Sequence, residues 1–295
     1  MVPTFLPAEA SQLTEATSIA LVETIQKAAI ATPLSPDPIE TTFVRHGSGG
    51  TPIVLIHGFD SSVLEFRRLL PRLAEKNEVW AIDLLGFGFT DRPADIAISP
   101  QTINTHLYYT WKTLINQSVI LVGASMGGAA AIALALNHPE VVKKLVLIDS
   151  AGMTQGPALG KYLVPPLGYL AAEFLRRPAV RKQVSLQAYV DPTFVSTDAL
   201  RCAALHLQQP GWNRAMVSFT RSGGYTSVAE QVKNLEPPTL ILWGDRDRIL
   251  GTADAERFQQ AIPSRQLVWI ESCGHVPHLE KPQTTADHIL EFALR

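Results

Sequence analysis

The chain has 295 residues, of which 46% are hydrophobic and 18% are charged, and its formal net charge is −2. This length is enough for one large α/β domain with an insertion and a sizeable buried core. A net charge near zero gives no basic field for nucleic acid or anionic lipid, so we discard nucleic-acid binding as a function.

Cysteine usage indicates a reducing compartment, and hydropathy predicts neither a membrane span nor a signal peptide. The two cysteines, Cys202 and Cys273, are too few for a disulfide framework and lack the spacing of metal ligands. No run of about 18 apolar residues occurs, and the N-terminus lacks the basic start and apolar core of a signal peptide. We therefore expect a cytoplasmic protein without stable membrane insertion.

The first predicted element is an N-terminal helix that precedes the main domain. Apolar residues recur at helical spacing between Leu13 and Ala31. Three prolines then interrupt the segment from Thr32 to Pro38, which indicates a linker. We predict that residues 1–39 form a helical extension and linker.

A short buried strand, Pro52 to Ile56, leads into the sequence His-Gly-Phe-Asp that begins at His57. A histidine directly after a strand and before a glycine is interpreted as a hydrogen-bond partner of the loop backbone rather than as a catalytic base. Ser62 and Glu65 have the spacing of a capping box, which predicts the start of a helix.

The next buried strand ends at Asp83 and is followed by a glycine-rich loop that reaches Asp91. This loop lacks the third glycine and the Lys-Ser/Thr pair of phosphate-binding loops, so a nucleotide site is disfavoured. We interpret Asp83 and Asp91 as structural carboxylates that accept hydrogen bonds from N–H groups of the turn.

The sequence around Ser125 predicts a strand, a very tight turn and a helix. Val119 to Val122 is an apolar run typical of a strand covered on both faces, whereas Ala129 to Leu136 is rich in alanine and leucine. Gly123 and Gly127 stand two residues to either side of the serine, where larger side chains would collide with neighbouring backbone. Such a turn exposes the hydroxyl above the sheet edge, beside a helix N-terminus that favours negative charge.

Strands and helices continue to alternate as far as the strand that ends at Asp149, which predicts a mostly parallel sheet with helices on both faces. From Gly152 to Tyr225 the alternation stops, and prolines divide the segment into short helical pieces. The sheet resumes near Pro238. Because Asp149 lies at a strand end, it is a minor candidate for orienting a histidine.

Candidate acid and base residues follow the last two predicted strands. Asp245 and Asp247 come directly after one of them, although a carboxylate pair near two arginines is also typical of a solvated turn. The final strand, Gln266 to Ile270, precedes the sequence Gly-His-Val-Pro, which contains His275. His278, among apolar residues just before the last helix, is interpreted as structural.

Four of these motifs, in this order, resemble those of the α/β-hydrolase family: His-Gly-Phe, the Asp-x-x-Gly-x-Gly-x-Thr-Asp loop, Gly-Ala-Ser-Met-Gly, and Gly-His-Val-Pro. The resemblance covers roughly residues 40 to 295. It implies an α/β-hydrolase fold, in which a mostly parallel central sheet carries helices on both faces and an inserted helical cap. The implied core comprises residues 40–151 and 226–295, and the implied cap residues 152–225.

The resemblance also implies a catalytic triad in the chain order that this fold uses. Ser125 is the implied nucleophile, His275 the implied base, and Asp247, in a Trp-Gly-x-x-Asp pattern, the implied acid. The backbone N–H groups of Phe59 and Met126 are the implied oxyanion hole.

The implied acid has one rival candidate, and the loop that follows it departs from the family pattern at one position. Asp245 stands two residues earlier, at the same strand end. Gly251 stands where family members often have a proline shortly after the acid, which predicts a looser loop without changing the assignment to Asp247.

These implications predict a serine hydrolase that cleaves carboxylic esters through an acyl-enzyme, with no cofactor and no metal. A serine nucleophile disfavours the haloalkane dehalogenase and epoxide hydrolase activities of relatives that use aspartate. A C–C bond hydrolase, a cofactor-free perhydrolase and a small-molecule receptor of the same fold are the alternatives. The predicted partner is a small-molecule ester or acyl substrate, and the oligomeric state is left open.

Substrate choice is expected to depend on side chains of the implied cap, because the fold alone does not specify a substrate. We predict that Trp212, Phe219 and Tyr225 line the substrate pocket. Phe59, on the loop of the oxyanion hole, is predicted to line it from the core.

Overall fold

A computed structural model describes residues 1–154 and 166–295 of the chain. The strands of its central sheet are β1 (Gln26–Thr32), β2 (Ser35–His46), β3 (Ile53–Ile56), β4 (Val79–Ile82), β5 (Val119–Ala124), β6 (Val142–Ile148), β7 (Thr239–Gly244) and β8 (Arg265–Ile270). Their order across the sheet is β1-β2-β4-β3-β5-β6-β7-β8. β2 pairs antiparallel with β1 and β4, whereas every neighbouring pair from β4 to β8 is parallel.

The described residues also form eleven α-helices, several of which pack on the two faces of the sheet. They are α1 (Ala16–Val22), α2 (Leu70–Ala74), α3 (Pro100–Leu114), α4 (Met126–Asn137), α5 (Leu167–Arg176), α6 (Pro178–Ala188), α7 (Thr197–Cys202), α8 (Trp212–Arg221), α9 (Ala253–Ala261), α10 (Pro277–Glu280) and α11 (Pro282–Leu294). None of these described helices is both long and apolar enough to span a bilayer.

Each face of the sheet is covered by its own hydrophobic cluster, because successive strand residues point to opposite faces. Val54 and Ile56 of β3 belong to one cluster, together with side chains of α3, α4, α8 and α9. Ile53 and Leu55 belong to the other, together with side chains of α1, α2 and α11. This burial on both faces explains the continuous apolar runs of the central strands and confirms the predicted mostly parallel sheet with helices on both sides.

The prediction that residues 1–39 form only a helix and a linker is wrong. The helix is limited to α1, and the residues predicted to extend it and to form the linker belong to β1 and β2, which pair with each other. Pro36 and Pro38 lie in β2 before its pairing with β4 begins at Phe43. A strand that is open on one side tolerates residues without an N–H group, so prolines there do not exclude a strand.

The N-terminal helix α1 is fixed by one buried carboxylate to α7, which belongs to the segment between β6 and β7. We call this the inserted segment. Asp198 of α7 accepts hydrogen bonds from the backbone N–H groups of Thr14 and Glu15. It also accepts one from the Ser18 hydroxyl, at 2.7 Å. Glu15 in turn forms two hydrogen bonds, of 2.6 and 2.8 Å, with the guanidinium group of Arg68. Three parts of the chain that are far apart in sequence are therefore joined here.

The segment between β6 and β7 contains helices α5 to α8 and no strand in its described part. This agrees with the short helical pieces expected between residues 152 and 225. Pro157 and Pro165, which were expected to divide that segment, lie outside the described residues.

Candidate active site

Ser125 stands at the sharp turn between β5 and α4, with a positive φ of 51° that a residue other than glycine adopts only under constraint. Its backbone N–H donates to the carbonyl of Ile148 on the neighbouring strand, at 2.9 Å. A Cβ atom on Gly123 would lie 2.4 Å from the carbonyl oxygen of Gly127. One on Gly127 would lie 2.2 Å from the carbonyl oxygen of Ile56. Both glycines are therefore required by close backbone contacts, as the sequence predicts.

The hydroxyl of Ser125 lies within hydrogen-bond distance of His275, on the loop after β8. Its Oγ atom is 3.0 Å from Nε2 of the imidazole, although 150 positions separate the two residues in the chain. Nδ1 of the same ring is 2.9 Å from Oδ2 of Asp247, on the loop after β7. The parallel strands bring these loops to one edge of the sheet. With its Nδ1–H donated to Asp247, the imidazole has Nε2 free to accept the serine proton.

Asp247, rather than its rival Asp245, is the acid that contacts the imidazole. One oxygen of Asp247 accepts hydrogen bonds from the N–H groups of Ile249 and Leu250, at 2.7 and 3.1 Å, which leaves the other oxygen for His275. Burial raises the pKa of Asp247, but these hydrogen bonds outweigh it, so the pKa lies below its ordinary value. Asp245 instead accepts a hydrogen bond from the backbone of the loop that carries the histidine.

A second carboxyl group, that of Asp149 at the end of β6, lies beside the triad. One of its oxygens accepts a hydrogen bond from the Gly244 N–H at 3.1 Å, whereas the other has no partner among the described residues. Burial, and next the charge of Asp247, raises the pKa of Asp149 well above its ordinary value, which favours the neutral acid. The ligand atoms of Asp149, Asp247 and His275 lie within 4.8 Å of one another, close enough to hold a metal ion, but the last two already bond to each other.

The two predicted oxyanion donors have backbone N–H groups with no acceptor among the described residues. Met126 is the first residue of α4, so its N–H is one of the amides that a helix leaves unpaired at its N-terminus. Phe59 follows Gly58, on which a Cβ atom would lie 3.3 Å from Cβ of Ser125. This close approach of the loop to the serine supports the predicted oxyanion hole.

A cavity of about 270 Å³ lies beside Ser125 and His275. Phe59 lines it from the core, as predicted. The inserted segment contributes further wall residues, among them Val184 of α6 and Tyr189. The inserted helices therefore form part of the wall around the nucleophile, where a cap is expected.

Trp212, Phe219 and Tyr225, which the sequence assigned to the pocket, are not among the residues that line this cavity. The indole N–H of Trp212 donates to a buried oxygen of Asp60 at 2.8 Å. Phe219 packs against Phe59, with ring centroids 5.8 Å apart, and the Tyr225 hydroxyl donates to a side chain of α3. We correct the prediction accordingly, because aromatic character alone does not tell which way a side chain points.

Asp60, next to Phe59, is a buried residue whose role sequence reasoning missed. Three groups of the inserted segment bond to its carboxylate: Arg181 Nη1 at 2.5 Å, Trp212 Nε1 at 2.8 Å and His206 Nε2 at 3.1 Å. Burial raises the pKa of Asp60, but these partners lower it to about 2. The residue therefore joins the inserted segment to the oxyanion loop. Its only signal in the sequence is an acid placed directly after His-Gly-Phe.

His57 supports the loop backbone, which confirms the structural interpretation. Its Nδ1 atom lies 2.8 Å from the Gly58 carbonyl oxygen, and its Nε2 accepts from the Leu84 N–H at 3.1 Å. Complete burial lowers the pKa of His57 to about 4, so the ring is neutral at pH 7 and has no free nitrogen for catalysis.

Ser62 caps the next turn, but Glu65 does not complete a capping box. The Ser62 hydroxyl accepts from a backbone N–H two residues later, and the helix expected to run through Leu73 is divided into a 3-10 turn, Val63–Phe66, and the short helix α2. The Glu65 carboxylate reaches the Gly58 N–H, at 3.1 Å, and lies 3.1 Å from Nε2 of buried His278. Glu65 therefore supports the oxyanion loop, and His278 has the structural place that was predicted.

The two aspartates of the glycine-rich loop differ in their contacts. Asp83 accepts hydrogen bonds of 2.7 Å from the N–H groups of Val63 and Phe89, which confirms its structural role. Asp91 forms an ion pair with Lys27 of β1, so its carboxylate binds a side chain rather than the turn.

Comparison with known proteins gives consistent matches over most of the chain. A family model described as alpha/beta hydrolase fold matches residues 51–282. The alpha/beta hydrolase domain-containing protein VTE7 of Arabidopsis thaliana is 32% identical over 302 residues, covering 99% of this chain and 90% of that protein. Lipase 1 of Psychrobacter immobilis is 28% identical over 252 residues, covering 82% and 77%. The structure of a meta-cleavage product hydrolase from Pseudomonas fluorescens superposes with a TM-score of 0.77 at 26% identity, covering 92% and 98%.

Proposed function

The chain belongs to the α/β-hydrolase family, and on that premise we propose that it is a serine hydrolase that cleaves carboxylic esters through an acyl-enzyme. The observation that carries the proposal is the hydrogen-bonded series of Ser125, His275 and Asp247, with distances of 3.0 and 2.9 Å. A serine hydroxyl is a poor nucleophile at neutral pH unless a base removes its proton, and this series provides such a base.

Two half-reactions follow from this geometry. Ser125 Oγ attacks the ester carbonyl carbon while His275 Nε2 takes its proton, and Asp247 stabilises the imidazolium. The N–H groups of Phe59 and Met126 bind the oxyanion, and each donor of this kind contributes roughly 3 kcal/mol to stabilisation of the transition state. The histidine then gives its proton to the leaving alcohol as the C–O bond breaks. In the second half-reaction a water molecule loses a proton to the same nitrogen and attacks the acyl carbon. His275 then returns this proton to Ser125 Oγ as the bond between the acyl carbon and Oγ breaks, which releases the acid.

The cavity favours a substrate with an apolar acyl or alcohol group. Apolar side chains make up much of its wall: Phe59, Leu64, Val184, Ala188, Ala199, Ala203, Ile249, Val276 and Leu279. We propose that residues 152–225 act as a cap, because α6 and α7 contribute several of these side chains. The core that they cover comprises residues 226–295 and the chain from β1 to residue 151.

C–C bond hydrolysis is the second candidate function. It is favoured by the similarity to the meta-cleavage product hydrolase, which extends over 92% of this chain and 98% of that one. The similarity to Lipase 1 supports ester hydrolysis in the same way. A serine activated by histidine is compatible with both reactions, so the substrate has to distinguish them.

We also propose a cytoplasmic location, which the state of the cysteines supports. Cys202 and Cys273 are both free and buried. Burial raises the pKa of the Cys202 thiol to about 11 and also raises that of Cys273, so both residues act as packing groups rather than as nucleophiles.

Steady-state kinetics with two substrate classes test the proposal. The native protein is compared with Ser125→Ala on p-nitrophenyl esters of increasing acyl length and on a meta-cleavage product. We expect repeated turnover of esters by the native protein and loss of that turnover in the variant. Turnover of the meta-cleavage product alone would favour the C–C reaction. A single burst without further turnover, or no reaction at all, would contradict ester hydrolysis and favour a receptor.

A further inference from the structure

The inserted helix α5 has an exposed apolar face. Leu167, Leu170 and Phe174 are 57%, 64% and 52% exposed. Their spacing of three and four residues places them on one side of the helix. Gly168 and Ala172, which point away from that side, are the buried residues of α5. One side of the helix is therefore packed, whereas the other presents large apolar groups to solvent.

Positive charge is concentrated on α5 and on α6, the helix that follows it in the chain. The segment from Leu167 to Ala188 contains four basic residues and a single acidic one, Glu173. Arg181 is engaged in an ion pair with the core, whereas Arg177 and Lys182 are exposed. This local excess of positive charge contrasts with the net charge of −2 for the whole chain.

Other apolar side chains of α5 and α6 border the cavity that holds Ser125 or the cavity next to it. Val184 of α6 is 53% exposed and lines both that cavity and a neighbouring one of about 210 Å³, which reaches Leu175 of α5. Phe59, which is 45% exposed, also lines both cavities. A path bordered by apolar side chains therefore leads from α5 to the nucleophile.

We propose that α5 and α6 dock on the surface of an anionic lipid bilayer and that the substrate enters the cavity from that bilayer. The Arg177 guanidinium lies over the Phe174 ring, 5.5 Å from its centroid, and Lys182 is exposed on the next helix. Exposed apolar side chains together with exposed basic ones are the arrangement by which amphipathic helices lie in the headgroup region. The basic groups distinguish this surface from a purely apolar contact with another protein. The substrate class, an apolar ester that partitions into membranes, rests on the proposed function, whereas the docking surface does not.

Vesicle co-sedimentation of the full chain tests the docking surface. The Ser125→Ala protein is used throughout, so that no vesicle lipid is hydrolysed. Vesicles of phosphatidylcholine are compared with vesicles in which about a quarter of the lipid is phosphatidylglycerol. We expect stronger binding to the anionic vesicles, weakened when the salt concentration rises from about 0.05 M to about 0.5 M.

Matched variants identify the surface. Leu170→Glu with Phe174→Glu is expected to lower the partition coefficient on anionic vesicles by about tenfold or more. Arg177→Glu with Lys182→Glu is expected to remove the preference for anionic lipid. The control is Ile19→Glu with Leu294→Glu, which changes exposed apolar residues of α1 and α11 and is expected to leave binding unchanged.

Three results would overturn the proposal: no binding to anionic vesicles, equal loss of binding in the control variant, or a dimer that the Leu170→Glu and Phe174→Glu changes dissociate. The last result would assign this face to a second copy of the chain. Turnover of short-chain p-nitrophenyl esters by variants that keep Ser125 separates the two proposals. Failure of docking leaves this turnover unchanged, and failure of ester hydrolysis leaves vesicle binding unchanged.

Discussion

Two carboxyl groups, those of Asp247 and Asp149, have an oxygen within 4.8 Å of a ring nitrogen of His275, and their surroundings favour opposite protonation states. Asp247 receives two backbone N–H groups and the imidazole, which stabilise its charge. Asp149 receives one N–H and keeps a buried oxygen without a partner in the described structure. A carboxylate suits the stabilisation of an imidazolium, whereas a neutral acid does not.

This difference predicts the effect of replacing each carboxyl group with an amide. Asp247→Asn is expected to lower kcat by about four orders of magnitude, because the amide favours the wrong imidazole tautomer. Asp149→Asn is expected to change kcat by less than about tenfold, because an amide resembles the neutral acid that it replaces. Ester kinetics on both folded variants check this. A larger loss in Asp149→Asn than in Asp247→Asn would reverse the assignment of the acid.

The three contacts of Asp60 predict a stability effect with a defined pH dependence. Its folded-state pKa of about 2 lies below the ordinary value of 3.8, so its contribution is present above pH 3.8 and is lost as the pH falls towards 2. We expect Asp60→Asn to lower the free energy of unfolding by about 3 kcal/mol at neutral pH, because the change removes the buried charge that pairs with the partly buried Arg181. The difference in free energy of unfolding between the native protein and Asp60→Asn should decrease by about 1 kcal/mol as the pH falls from about 6 to about 3.

Urea unfolding across that pH range measures the effect, with Asp95→Asn at an exposed site as the control. A difference in free energy of unfolding that stays constant or increases on acidification would show that the Asp60 carboxylate is not stabilised by its partners.

Because Asp60 adjoins Phe59, we also expect kcat/KM for esters to fall in the Asp60 variant.

Sequence reasoning at the residue scale succeeded where the constraint is local. Gly123 and Gly127 could be predicted because the turn needs them within five residues of chain. Asp60 could not be interpreted in the same way, since its partner Arg181 lies 121 positions away and only the folded chain brings the two together. The unpartnered oxygen of Asp149 is likewise a property of the fold rather than of the local sequence.

At the scale of elements, the N-terminal hairpin shows why the prediction for residues 1–39 failed. Ala28, Ala29 and Ile30 fit a helical pattern and a strand equally well, because short apolar runs do not distinguish the two. The pairing of β1 with β2, which buries Ile30 and Ile39, decides in favour of a strand. Tertiary pairing therefore overrode a weak local preference.

The contact between α1 and α7 predicts a second stability effect. Asp198→Ala is expected to lower the free energy of unfolding by about 3 kcal/mol, because it leaves the N–H groups of Thr14 and Glu15 without their acceptor. Urea unfolding measures this, with Asp95→Ala as the exposed control. The triad is expected to keep its kcat in the folded fraction. A variant as stable as the control would show that the N-terminal helix is held by its other contacts alone.

At the scale of the whole molecule, the order of the motifs along the chain was enough to predict the fold. A mostly parallel sheet places the ends of β5, β7 and β8 at one edge, so motifs that follow those strands have to meet there. The charge of the whole chain was less informative than the order of the motifs, because the net value of −2 hides the local excess of basic residues in α5 and α6. Net charge could not predict the local surface that we propose for lipid docking, since only the fold shows which residues share that surface.

The central claim is that Ser125 is the nucleophile and that His275 activates it. Its most direct test is labelling with a fluorophosphonate probe, followed by intact-mass and peptide mass spectrometry of the native protein, Ser125→Ala and His275→Ala. We predict one adduct on the native protein, located on Ser125, none on Ser125→Ala, and labelling slowed by orders of magnitude in His275→Ala. A native protein that stays unlabelled, or an adduct that persists in Ser125→Ala, would contradict the claim.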